Sequence, residues 1–206
     1  MNAALGVASL VVGALCAVYS IGAILFGSAR PHRISWCAWT IVACLGSAAT
    51  FSAGAGWGSL AAARTAVTAA IIFGLSLVPR YGKPDAERRS DIVLGLVALV
   101  ATVAWKVVGL PVAFAAAVAV VADGLIGLPT IREAWRQPQH ESAIAWILGL
   151  VAALLGILAI EHVTFSSAAY LAGLSAVNVC IITALFVSRR RKLSRLPEPA
   201  LDHPTP

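Results

Sequence analysis

The chain has 206 residues, 60% of them hydrophobic and only 12% charged, with a mean hydropathy of +0.89 and a formal net charge of +6. This balance excludes a water-facing globular surface and places the chain in a lipid bilayer. Helical spans of about 20 residues, the length a hydrocarbon core of roughly 30 Å demands, use up the chain, so no separate soluble domain is expected. The positive charge then concerns membrane sides and lipids, not nucleic acid.

In chain order, the first apolar run is Asn2 to Gly27, which lacks the basic leader of a cleaved signal peptide and reads as a span. Six more follow: Ile34 to Ala53, Ser59 to Val78, Asp91 to Val108, Pro111 to about Leu128, Ala143 to Ile160, and Phe165 to Val187. Cys16, Cys37, Cys44 and Cys180 lie inside these runs without metal or CxxC spacing and read as packing residues. Thirteen of the fifteen basic residues fall in the connections after spans one, three, five and seven, and the alternate connections hold none. By the positive-inside rule the N-terminus is expected outside and the C-terminus in the cytoplasm. The expected location is a plasma membrane of bacterial type.

Sliding the chain by 107 positions superimposes Pro31 on Pro138, Ser35 on Ser142, Ala38 on Ala145 and Trp39 on Trp146. These matches fall at the turns after spans one and five. They predict an all-α integral membrane protein of seven transmembrane helices, a 3+1+3 repeat of two parallel triple-helix bundles. Residues 1–79 form the first unit, 80–110 a loop and linker helix, 111–188 the second unit, and 189–206 a basic, Pro-rich disordered cytoplasmic tail.

The run Gly124-Leu125-Ile126-Gly127-Leu128-Pro129-Thr130, followed by a basic turn and Glu141-Ser142, resembles the PQ-loop motif. The family includes the SWEET sugar transporters, the lysosomal cystine and cationic amino acid exporters, and the KDEL receptors. Thr130 stands where that motif has glutamine, and the first unit keeps only Arg30-Pro31 and Ile34-Ser35-Trp36 near the equivalent turn. The resemblance implies the 3+1+3 topology with the N-terminus outside, and a hinge at Pro129.

A proline within a membrane helix removes a backbone donor and frees a carbonyl about a turn earlier, near Leu125, which makes the helix bend there or end there. Asp123, near the middle of span five, costs at least about 2.5 kcal/mol on insertion. That cost makes it a candidate protonatable switch, with a hydrogen bond to Ser20 or Tyr19 as the bland alternative. Trp39 and Trp146, a turn or so inside the membrane at equivalent places, would sandwich a ring-shaped or isoprenoid solute if brought together. Asn178 is the only Asn or Gln deep in a span, at a depth that could approach Asp123. Arg64 and Lys106 are expected to snorkel to the outer headgroups, or, facing inward beside Glu161, to make a positive outer vestibule for an anionic group.

Two functions follow. The first is a transporter of PQ-loop type, moving a small solute between Trp39 and Trp146 about a hinge at Pro129, with Asp123 coupling to protons and Tyr19 and Asn178 at the site. The alternative is a membrane-bound cyclase of a linear isoprenoid, with Asp123 as general acid and aromatic rings stabilising carbocations. No ATP-binding loop, metal motif or hydrolase triad is present in the sequence, so no metal and no cofactor is expected. The expected partners are a small or lipid-like substrate and membrane lipids, with room for a homo-oligomer.

Overall fold

In the computed structural model, residues 1–82 and 89–193 are described. They form seven α-helices and one short 3-10 turn: α1 (Asn2–Leu25), α2 (Arg33–Ser52), α3 (Trp57–Ser76), α4 (Arg89–Val108), α5 (Val112–Arg136), the turn Pro138–His140, α6 (Ala143–Leu158) and α7 (Phe165–Leu193). Of the described helices, α1, α2, α3, α5 and α7 are long and apolar enough to cross a membrane, and α6, at 16 residues, is apolar but shorter.

Local chemistry sets several of these ends. Gly54 and Gly56, with φ of +72° and +59°, let the chain reverse between α2 and α3. Ser142 caps α6 by accepting from the amide of Ala145. Two boundaries differ from expectation. Helix α5 does not end near Leu128 but continues through Pro129 to Arg136, because no turn signal follows the proline until Gln137-Pro138. Helix α7 likewise runs past residue 188 to Leu193, so residues 189–193, expected to begin the tail, are helical. The rest of that expected tail, and Lys83 to Arg88 of the expected loop, lie outside the described residues.

Helix neighbours follow a regular order among the described residues. Helix α3 packs against both α1 and α2, which do not touch each other, and α7 packs against both α5 and α6, which also do not touch. Across the two groups, α1 packs on α6 and α2 on α5, with α3 against α6 and α2 against α7. Among the described residues, helix α4 packs on α2 and α5.

Small residues make this closeness feasible. Lipid removes the usual hydrophobic drive between helices, leaving close packing and hydrogen bonds to hold them. Ala49, Ala62, Ala115, Ala116, Ala119, Ala152 and Ala153 are fully buried. A methyl group placed on Gly156 would sit 2.5 Å from the Ala61 side chain, and one on Gly127 would sit 2.8 Å from Val177. Ser9 on α1 donates to the Ala152 carbonyl of α6 at 2.7 Å, a bond worth about 0.6 kcal/mol in lipid.

One end of the bundle carries the α1–α2 and α5–α6 connections with Arg30, Arg33, Arg132 and Arg136. Here Arg33 Nε donates to the Ser76 carbonyl at 3.0 Å, joining α2 to the end of α3. Ser188 Oγ donates to the Trp135 carbonyl at 2.6 Å, and Arg189 to the carbonyls of Pro138 and Glu141, joining α7 to the α5–α6 turn. This is the basic end of the bundle. At the opposite end, the Glu161 amide donates to the Ala55 carbonyl at 3.3 Å, and Gly58 lies against Ile160.

Candidate functional site

A cavity of about 440 Å³ lies between the two groups of helices, within the range of small-molecule sites. Its deep wall is built by Arg64, Asp123, Asn178 and Cys16, each near the middle of its helix, together with Tyr170. Its upper wall holds Trp36, Trp39 and Trp146, and its mouth is lined by Arg30, His32, Glu133 and Glu141 at the basic end. No residue of the α2–α3 or α6–α7 connections lines it. The cavity thus leads from the basic end to mid-depth and stops there, above the tight packing of Ser9 on Ala152 and Gly156 on Ala61.

Asp123 is 3% exposed, and its Oδ2 has no hydrogen-bonding partner from the protein. Neither Ser20 nor Tyr19 supplies one: the Ser20 hydroxyl donates within its own helix to the Cys16 carbonyl at 2.9 Å, and Tyr19 is 49% exposed, outside the cavity. Tyr19 is therefore corrected as a site residue. Its α1 position points outward while Ser20, the next residue, points in.

Arg64 takes the inward of its two expected courses. Its side chain does not snorkel to a headgroup region but turns inward over Gly13, crossing the place a Cβ of residue 13 would occupy. Its Nη1 donates to the Gly13 carbonyl at 3.3 Å and its Nη2 to Thr65 Oγ1 at 3.1 Å, while Nε is buried without a partner. Tyr170, whose ring lies over Gly46, is within electrostatic reach of both Asp123 and Arg64. Asp123 and Arg64 both line the chamber, while the two unpartnered atoms, a carboxyl oxygen and a guanidinium nitrogen, are themselves buried, each costly to leave unpaired.

Arg64 and Glu161 do not meet in an outer vestibule. Glu161 is exposed at the opposite end with its carboxyl beside Gly56, and it does not line the cavity with Arg64. The reason is the smallness of Gly13, which gives the Arg64 side chain an inward path. The side chain of Lys106 lies outside the described residues.

Trp39 and Trp146 do come together, with ring centroids 6.2 Å apart and planes at 60°. Trp36 adds an edge-on contact to Trp39 at 5.0 Å. The Trp146 indole N–H donates to Glu141 Oε2 at 2.9 Å. Asn178 lines the same cavity as Asp123, but its amide nitrogen is committed to the Leu174 carbonyl at 2.7 Å, leaving Oδ1 over Gly149. Pro129 lies within α5, one residue before the cavity-lining Thr130.

Several lining residues had no site role in the sequence. Trp36 entered only through the turn that resembles the PQ-loop motif, and Cys16 carried no signal beyond apolar neighbours, although its thiol, read as packing, bonds the Ala145 carbonyl at 3.2 Å from the cavity wall. Tyr170 did carry one, as a lone phenol early in a long aliphatic run. Trp105 is a core residue at 5% exposure. Among the described residues no group of three His, Cys, Asp or Glu side chains could hold a metal ion.

No protein-family model matches the sequence, and no curated protein and no solved structure matches it. Fold and cavity therefore define the class on their own: an α-helical membrane protein with an enclosed, partly charged chamber reached from one end.

Proposed function

We propose that the protein is a small-solute transporter of PQ-loop type, with seven spans in a 3+1+3 arrangement and the basic end in the cytoplasm. The observation that carries this reading is a cavity that reaches mid-depth from one end only, with charged groups at its deep wall and tight packing beyond. A binding site near the midplane with one closed side is what alternating access requires.

The order of helix neighbours supports the repeat. Exchanging α1 with α5, α2 with α6 and α3 with α7 turns the α1–α6 contact into α5–α2 and the α3–α6 contact into α7–α2, both of which exist. In this reading α4 is the linker, the conformation faces the cytoplasm, and rocking of one group against the other closes the mouth. Pro129 supplies α5 with a point of bending, and Asp123 carries a proton during the cycle. The cyclase reading is weaker because Arg64 places a fixed cation in the same chamber, where it opposes a carbocation.

Counterflow of a solute panel in liposomes tests the proposal, with linear isoprenoids offered to detergent-solubilised protein in parallel. Flux of at least one solute, with a pH dependence that Asp123→Asn removes, is expected. Cyclised product that depends on Asp123, with no flux of any solute, would overturn it.

A further inference from the structure

We propose that the outer face of α5 and the end of α7 hold one anionic phospholipid, its phosphate between Arg132 and Arg191 and an acyl chain along α5. The inference rests on the membrane setting of the chain and not on what the cavity carries.

On α5, Val121, Leu125, Leu128, Arg132 and Trp135 are all exposed. At about 100° per residue, their alternating steps of four and three residues keep them within one stripe about 80° wide. Three aliphatic side chains thus lead, over roughly 10 Å at about 1.5 Å per residue, to a cation and an indole at the basic end. An acyl chain fits the first part and a phosphate the second.

Helix α7 completes the head site. The Ser188 hydroxyl donates to the Trp135 carbonyl at 2.6 Å, which fixes α7 against α5 at this level. About one turn on, the guanidinium carbon of Arg191 lies 4.6 Å from the centre of the Trp135 ring. The indole orients the cation above it, and the planar donor fork of a guanidinium matches a phosphate. Arg189, two residues earlier, is directed instead to the Pro138 and Glu141 carbonyls.

Charge selects the headgroup. Glu133 and Glu141 line the cavity, whereas Arg132, Arg136 and Arg191 are exposed. The acids of this turn so lie inward and the arginines outward, which favours an anionic headgroup over a zwitterionic one. The outer stripe of α1 makes the contrast. Val7, Val11, Leu15, Val18 and Leu25 are exposed in the same way, but that stripe runs to Phe26 and α1 has no basic residue in its last turn.

Native mass spectrometry of the purified full chain tests this, with phosphatidylglycerol, phosphatidylcholine of the same acyl chains, and glycerol phosphate as the headgroup alone. The first phosphatidylglycerol is expected to bind at least about tenfold tighter than phosphatidylcholine, and about fivefold more weakly to Arg132→Gln or Arg191→Gln. Arg80→Gln removes the same charge beyond the end of α3 and should leave the affinity within about twofold. In the native protein, phosphatidylglycerol with a photoreactive acyl chain should label α5 between Val121 and Trp135, and excess phosphatidylcholine should not displace it. Equal binding of the two lipids, equal losses in all three variants, displacement by glycerol phosphate at the lipid's own concentration, or labelling confined to other helices overturns the proposal. The labelling decides even where a variant does not fold.

Discussion

The indole of Trp146 is held by Glu141, five residues earlier, through an Nε1–H to Oε2 bond of 2.9 Å. A ring in the cavity wall is thereby oriented by the turn that precedes its own helix, and the same turn is bonded by Arg189 of α7 through the Glu141 carbonyl. Replacing Glu141 by Ala should free the ring at a cost of about 1–2 kcal/mol, in keeping with a bond to a charged acceptor. The indole proton resonance of Trp146 should move in the variant, and an unmoved resonance with unchanged melting would count against this anchoring.

Gly13 and Gly22 make a matched pair on α1. A side chain at Gly13 collides with the Arg64 stem, whereas nothing lies within 4 Å of one at Gly22. Gly13→Ala should therefore destabilise by about 1–3 kcal/mol through overpacking, while Gly22→Ala should be neutral or stabilising by up to about 1 kcal/mol. Thermal denaturation of the two variants in the same detergent measures the difference. Equal effects would mean that Arg64 does not cross α1 at Gly13.

Cys16 faces the cavity, while Cys44 and Cys180 are exposed on the outer surface of the bundle. In a protein retaining only Cys16, a water-soluble maleimide should label from the basic end and not from the other. Variants retaining only Cys44 or Cys180 should require a lipid-soluble reagent. Labelling of Cys16 from both sides in the same preparation would contradict the closed end.

Pro129→Ala restores a backbone donor to the carbonyl of Leu125 inside a continuous helix. A stabilisation of about 1–3 kcal/mol is expected from the recovered bond and relieved ring clash. If α5 bends there during transport, counterflow should slow by at least about tenfold in the same variant. A more stable protein with unchanged flux would remove the hinge role from Pro129.

Much of the architecture was legible because each apolar run carries its own boundary signals. All seven expected spans begin within two residues of a helix start, where turn residues and the basic connections mark the boundaries. The run through Pro129 was harder, since proline weakens a helix locally but tertiary neighbours decide whether it stops. The meeting of Trp39 with Trp146 was offered by their equivalent spacing as one outcome and not required by it. The inward turn of Arg64 stood only as the alternative to snorkelling, because it depends on a glycine of another helix 51 positions away. Tyr19 failed for a similar reason: adjacent residues on a helix point about 100° apart, and the run around it is apolar on every side, so no periodicity tells inside from outside.

The closed end of the bundle has one further consequence. Its faces meet through the small residues Gly58, Gly156, Ala61 and Ala152, with Ile160 lying over Gly58. Two smooth faces of this kind can part without rotamers having to disengage, so the work of separation is set by area and a handful of hydrogen bonds. Such a seam behaves as a flat joint and not as a clasp, and one leucine introduced at Ala152 would act as a wedge, propping that side ajar.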